Sequence, residues 1–190
     1  MVGAARSRDE FAAPVGDVAR RILGDTLLVD GVGGVIVEVE RYQEDDPASH
    51  SFGGRRARAE VMFGPPGHLY IYRSYGVHWC LNLVCEPEGV GSALLIRALE
   101  PTHGVDVMSE RRGRERDLCS GPGRLCQALN VDGSLNGVSL GGRVQVLARS
   151  RRPRIVSGPR VGITKAVARP WRLAIAGSPH CSRPRVKGAS

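Results

Sequence analysis

The stretch VIVEVERY, residues 35–42, places two carboxylates two positions apart in an otherwise apolar run. Side chains of a strand alternate between its faces with a period of two. Strict alternation puts Val35, Val37 and Val39 on one face and Ile36, Glu38, Glu40 and Tyr42 on the other. Two neighbouring carboxylates suit acid–base chemistry on a bond to a sugar or a similar carbon. A wet strand face, or pairing with local arginines, would account for the same two acids without chemistry.

The surroundings bear on that choice. His50 follows Tyr42 by eight residues, and the four tyrosines of the chain, Tyr42, Tyr70, Tyr72 and Tyr75, all fall in two segments. Aromatic residues make up only 5% of the chain, so this clustering is not diffuse. Tyr70 and Tyr72 share one strand face, and stacked rings are a means of holding an unstacked base. A half-buried strand with its hydroxyls reaching water would look the same. Asn82 lies inside the apolar run WCLNLVC and must find hydrogen-bond partners. It is either a satisfied core amide or the lining of a polar pocket. Arg97, between LLI and ALEP, raises the same question with a charge.

The elements that must position these residues follow from periodicity. Apolar residues at helical spacing over Val15, Val18, Ala19, Ile22 and Leu23 predict a helix, with Pro14 at its first turn and Gly24 as its stop. Strands are expected at 26–30 and 34–42, joined by a turn at VGG, and further on at 68–76, 77–85 and 92–101. Residues 43–67, rich in Gly, Pro and charge, read as a long ordered loop of the kind that is usually functional. Residues 106–117 form a basic segment, helical and then mobile, and 120–131 a second helix capped by Ser120 with Pro122 near its first turn. Short strands such as RVQVLA and WRLAIAG occupy the last third. One helix followed by strands with short turns points to an α+β fold with a mostly antiparallel sheet. One domain is expected over 9–180, with 1–8 and 181–190 as flexible tails.

The chain has 190 residues, 42% of them hydrophobic, which suits one domain with a real core. It contains no uninterrupted apolar run of the roughly 20 residues a spanning helix needs, and MVGAARSRDEF carries no apolar block of a secretory signal. A soluble, cytoplasmic protein that contacts no membrane is expected. Lys and Arg number 27 against 19 acids, a net charge of +8, and lysine occurs only at Lys165 and Lys187. The arginine fork suits phosphate, and the excess favours a polyanionic partner such as nucleic acid. A high-GC codon bias would explain Arg over Lys, but not the excess over acids. The five cysteines, odd in number and without a CxxC pair, read as free buried thiols. No metal or cofactor is expected.

VIVEVERY, DPASHSFGG-R, MFGPPGHLYIYRSYGVHWCLN, LLIRALEP, LCSGPGRLCQAL, GPRVGITKA and LAIAGSP, in this order, resemble the alkyladenine (3-methyladenine) DNA glycosylase family, from about Phe11 to Pro179. The resemblance implies a single mixed domain with a curved antiparallel sheet flanked by helices. It implies a monofunctional base-excision-repair enzyme, bacterial in type, monomeric, and associated with the nucleoid through DNA. Such an enzyme flips alkylated or deaminated purines out of duplex DNA and excises them hydrolytically, leaving an abasic site. The substrate class comprises 3-methyladenine, 7-methylguanine, hypoxanthine and ethenoadenine. By the same resemblance Glu40 is the general base, and Glu38 is a second acid of open role. Tyr42 and Tyr72 sandwich the flipped base, and His50 bonds its edge. Asn82 discriminates against the 2-amino group of guanine, and Arg97 stands near the catalytic end. Tyr75 is the wedge, with Val77 and Met62 also on the DNA side and Arg55, Arg58 and Arg124 at phosphates. Arg56-Ala57-Arg58-Ala59 departs from the Thr-Pro-Arg-Asn pattern of the family, which bears on the phosphate grip. A non-catalytic damaged-DNA-binding module of the same fold is the alternative, and an RNA- or nucleoside-directed hydrolase a third reading.

Overall fold

The computed structural model describes residues 3–187. The first helix, α1 (Val15–Ile22), follows Pro14 and buries Val15, Val18, Ala19 and Ile22, the spacing that turns one stripe of a helix to a core. The first two strands, β1 (Thr26–Val29) and β2 (Val32–Tyr42), form a hairpin. Its turn is Asp30-Gly31, with φ of 48° and 80°, the signs of a type I′ turn, which favours Asp-Gly. The turn expected at VGG is thus corrected. Gly33 and Gly34 lie inside β2, where a Cβ would run into the carbonyl oxygens of Leu27 and Glu100.

After β2 come β3 (Leu69–Ser74), β4 (His78–Val84) and β5 (Ala93–His103), then α2 (Val105–Arg112) and α3 (Pro122–Leu129). The chain ends with β6 (Val144–Leu147), β7 (Ile155–Gly158) and β8 (Arg172–Ile175). All strand pairings are antiparallel, in the order β3-β4-β5-β2-β1-β6, with β8 joining β2 and β7 joining β8. The sheet is curled and the fold is α+β, as the sequence suggests. Its branch point is β2. One edge pairs with β5, and the other pairs first with β1 and then, at Glu38–Glu40, with β8. The long loop after β2 is ordered: Ser51 Oγ donates to Gly91 O at 2.8 Å, Gly91 N–H donates to Glu44 at 3.0 Å, and a 3-10 turn spans Ala57–Phe63.

The alternation expected along β2 does not hold through its centre. Ile36 faces Leu99 and Glu38 faces Ala98, so Val37 has no partner on β5; Val39 then faces Ile96, so Arg97 is skipped in turn. An extra residue in a ladder bends the strand and re-aims the side chains around it. Ile36 and Val39, three apart, both enter the main core beneath α1 and α3. Val37 joins a separate cluster with Ala98, Ala174, Cys181 and Val186, against which Val35 packs. Val35, Val37 and Val39 therefore do not share one buried face.

Two further expectations are corrected. The segments expected to be flexible tails are anchored at several described residues. Ala5 bridges Leu147 and Arg6 N–H donates to Val146 O at 2.7 Å, while Cys181, Ser182 and Val186 are buried. Residues 1–2 and 188–190 lie outside the described residues. The cap of α3 is Gly121, with φ of 139°, and not Ser120, whose hydroxyl instead accepts from Arg124 at 3.0 Å. Among the described residues, no helix is long and apolar enough to cross a membrane.

Because β5 backbone fills the space beside Gly34, Gly34→Ala is expected to destabilise the fold by about 1–3 kcal/mol through overpacking. The measure is a lower urea midpoint at unchanged slope; an unchanged midpoint would show that the strands can part at no cost.

Candidate active site

The double bulge turns Glu38, Glu40 and Arg97 into one buried cluster. Glu40 is fully buried. Its Oε1 accepts the Val161 N–H at 2.9 Å and lies 3.2 Å from Arg97 Nη1, and its Oε2 accepts the Tyr42 hydroxyl at 2.8 Å. Glu38 is also fully buried but differently placed. Its Oε2 accepts the Ser182 N–H at 2.7 Å, and its Oε1 lies 3.4 Å from Arg172 Nε and 3.9 Å from Arg97 Nε. Arg97 also donates from Nε and Nη2 to Ser182 Oγ at 3.3 and 3.2 Å. Two carboxylates thus meet two guanidiniums, which makes burial of four charges tolerable. The acids part company at the surface: Glu40 borders a cavity of about 760 Å³ and Glu38 does not.

That cavity is also lined by Tyr42, His50, Tyr72, Asn82 and Arg97, so the residues proposed for catalysis and substrate binding meet in one place. Tyr42 closes one wall. Burial, then the adjacent Glu40 carboxylate, pushes its phenol far up, which keeps it a hydrogen-bond donor to Glu40. Behind its ring lies the Arg160 guanidinium, 4.6 Å from the centroid. Arg160 is itself buried, forms a bidentate ion pair with the buried Asp46, and donates to Arg41 O at 3.0 Å. Tyr72 and His50 form another wall, edge to face with centroids 4.6 Å apart, with Tyr70 stacked on Tyr72 at 5.5 Å.

Tyr70 Oη lies 3.2 Å from the Arg58 carbonyl and 2.8 Å from His50 Nδ1. With its own proton directed to the carbonyl, the hydroxyl accepts from Nδ1–H. This network assigns the tautomer and leaves His50 Nε2 as an acceptor. Burial, then the Arg58 charge, lowers His50 to about 4, so the ring is neutral near pH 7. Asn82 is buried and donates from Nδ2 to Tyr70 O at 2.9 Å. Its Oδ1 has no donor partner among the described residues.

The residues expected at DNA divide into two groups. Tyr75 and Val77 sit on the tip of the β3–β4 hairpin, 83% and 74% exposed. Arg55, Arg58 and Arg124 are exposed as well. Arg58 lies 5.9 Å over Tyr72, while Arg55 pairs with Glu60 at 3.2 Å. Met62 stands apart from these. It is buried with Ala59, Phe63, Tyr70, Val84 and Ala93 and lines the cavity from within, because the 3-10 turn folds its apolar residues inward. Several supports were not legible in the sequence: Val161 acts through a backbone amide, and the partners Arg160 and Asp46 lie 114 positions apart.

Two outcomes are expected. Arg160→Met leaves Asp46 buried without its partner and should cost about 3–5 kcal/mol in chemical denaturation, while Asp46→Asn in the same chain should recover part of it. Equal stability of wild type and Arg160→Met would remove the pair from the account. For His50, the folded value lies below the unfolded one of about 6.5, so the unfolded chain binds more protons between the two. Stability should therefore fall as pH drops from about 6.5 towards about 4. His50→Gln should flatten that part of a melting-temperature profile, and an identical profile in both proteins would contradict the assignment.

Residues 9–179 match the family model described as methylpurine-DNA glycosylase (MPG). A protein of Rhodopseudomonas palustris (strain HaA2), named "Putative 3-methyladenine DNA glycosylase", is 57% identical over 177 residues, covering 92% of this chain and 88% of its own. Proteins of the same name from Nitrosospira multiformis and Rhizobium meliloti (strain 1021) are 56% and 54% identical, each over 92% of this chain and over 92% and 95% of their own. The chain belongs to the methylpurine-DNA glycosylase family, enzymes that hydrolyse N-glycosidic bonds.

Proposed function

We propose that the chain excises damaged purines from duplex DNA by hydrolysis, with Glu40 as general base, releasing the free base and leaving an abasic site. The observation that supports this best is a buried carboxylate, fixed at both oxygens, at the border of an aromatic-walled cavity. A purine is too deep in a duplex for its glycosidic bond to be reached, so the nucleotide must turn out of the stack. In the cavity its base would lie between Tyr42 and the Tyr72–His50 pair.

Cleavage of the bond to C1′ builds positive charge on the sugar. A carboxylate held nearby stabilises that charge without having to reorganise, and takes a proton from the attacking water. Arg97 keeps Glu40 in place from β5, and the Val161 amide does so from the opposite loop. A purine made cationic by methylation leaves readily, which favours 3-methyladenine and 7-methylguanine. Neutral hypoxanthine and ethenoadenine leave as anions unless they receive a proton or donated hydrogen bonds. His50 Nε2 and Asn82 Oδ1 are acceptors and would serve to recognise donors on the base edge rather than to assist departure, and Asn82 would discriminate against the 2-amino group of guanine. Tyr75, with Val77 beside it, would fill the gap left in the duplex, as apolar wedges do. Arg55, Arg58 and Arg124 would hold flanking phosphates, which position the duplex without reading its sequence. Among the described residues, no lysine borders the cavity, in keeping with hydrolysis and not with a Schiff-base route.

Glu40→Gln is expected to lower base release from a 3-methyladenine or hypoxanthine duplex by at least about 10²–10⁴-fold, with duplex affinity largely retained. Chromatography of the freed base measures it, and undiminished release would remove Glu40 from the role.

A further inference from the structure

A second cavity, of about 580 Å³, lies between the C-terminal half of α1 and the segment joining β6 to β7. Six arginines line it against two acids, Glu10 and Asp17. Some of that charge serves the fold. Arg6 and Arg149 hold the fully buried Asp25 at 2.9 and 3.2 Å, and Glu10 is taken up by Arg6 at 2.7 Å. Arg21 donates to Glu10 O. Arg20, Arg151 and Arg152 are exposed, and their side chains make no ion pair or hydrogen bond among the described residues. Three unpaired guanidiniums in one concave basin, opposed by Asp17 alone, are not needed by the core and repel one another.

The basin is connected to the base cavity by a line of arginines. Arg160, behind Tyr42, lies 5.2 Å over the Trp171 ring. Arg41 and Arg169 lie over the same ring at 4.3 and 4.4 Å. Arg41 in turn rests against Gly16 of α1. Burial, and then the nearness of Arg20 and Arg160, holds the Arg41 guanidinium below its ordinary value. Arg20 is therefore both a member of this line and a wall of the basin. The chain gives the scale: Ile155 borders the basin and Val161 the base cavity, and six residues span at most roughly 22 Å. On duplex DNA that is at most about six base pairs, since phosphates of one strand advance about 3.4 Å along the axis.

We infer that the basin of Arg20, Arg151 and Arg152 binds phosphates of the same DNA duplex whose damaged base occupies the cavity at Glu40, within about six base pairs of the lesion. This rests on the reading of the chain as acting on duplex DNA. It adds a second anchor beyond the arginines at the cavity mouth. Phosphate contacts of this kind carry no sequence information, but they fix the orientation of the duplex.

The test compares two lesion duplexes. One is loop-closed, with flanks of about 3 base pairs, shorter than that reach; the other has flanks of about 12, which exceed it. For wild type, the slope of log affinity against log salt should be steeper on the long duplex by about 2–3, corresponding to three phosphates. In Arg20→Gln/Arg151→Gln/Arg152→Gln the difference between the two duplexes should vanish, and lysine at the same three positions should restore most of it. Equal slopes for wild type and the glutamine variant on the long duplex overturn the inference. So does an equal loss on both duplexes, which would place these arginines in support of the fold, and so does wild-type affinity for polyglutamate that removing the arginines abolishes while the DNA slopes stay unchanged. Failure of the underlying reading looks different: wild type then releases no base from either duplex.

Discussion

The ion pairing of Arg97 with Glu40 and Glu38, buried where β2 meets both β5 and β8, is the interaction on which the other site positions depend. A single charge in that place would be expensive, and removing one partner of a buried pair typically costs about 3–5 kcal/mol. Two carboxylates and two guanidiniums close the account electrically, with Arg172 supplied by β8 at the residue facing Glu40. Ser182 completes the cluster, its amide on Glu38 and its hydroxyl on Arg97. The segment after β8 is thereby tied to β2. The bulges make the arrangement possible, because only with Val37 and Arg97 left unpaired do the two acids and the arginine converge while Ile36 and Val39 stay in the core.

Glu40 is held from three directions that are far apart in sequence: its own strand through Tyr42, β5 through Arg97, and the 160–163 loop through Val161. A carboxylate so fixed meets developing charge without a reorganisation penalty, which is where most electrostatic catalysis originates. The support extends outward. Arg160 precedes Val161, backs the Tyr42 ring and is locked by Asp46 from the loop after β2. One buried ion pair therefore steadies both the Tyr42 wall and the loop whose amide holds Glu40. The opposite wall is built from neutral groups, since burial raises the Tyr72 phenol and lowers His50. The cavity thus combines a single carboxylate, paired with Arg97, with aromatic faces and the guanidiniums of Arg58 and Arg73.

How much of this was legible depends on how each residue acts. Glu40, Tyr42, Tyr72, Asn82 and Arg97 could be singled out because a polar or aromatic side chain in an apolar strand is visible in a sequence, and all five border the cavity. Strand and helix positions followed from periodicity. The β2 turn was misplaced because VGG competes with Asp-Gly, and only the backbone shows that a Cβ at Gly33 or Gly34 would strike a neighbouring strand. The double bulge has no residue signature, so the alternation of VIVEVERY misassigned Val39 and Ile36. Val161 and Ser182 act through amide groups that any residue carries. Met62 is set on the DNA side by resemblance alone, and no sequence pattern shows that the 3-10 turn buries it with Phe63. Arg20, Arg151 and Arg152 read as ordinary surface charge until folding gathered them into one basin.

The β3–β4 hairpin shows how a cost in the free protein points to a role in the complex. Its two-residue turn gives Tyr75 a φ of 49° and Gly76 a φ of 68°, and Val77 N–H closes it onto Ser74 O at 2.9 Å. Glycine accepts that conformation freely, whereas a residue with a Cβ pays roughly 1–2 kcal/mol. Asn at the first position would relieve the strain. Tyr75 gains little in return within the protein. It is 83% exposed and makes one long contact, its hydroxyl 3.4 Å from Gly162 O. That contact, however, reaches the same loop whose neighbouring amide holds Glu40. A large ring carried on a stiff, strained turn at the mouth of the cavity loses little entropy when it enters a duplex. Strain at such a position is the pattern of a functional constraint and not of a packing solution, and the Gly162 contact sets Tyr75 and the loop that holds Glu40 on one rim of the cavity.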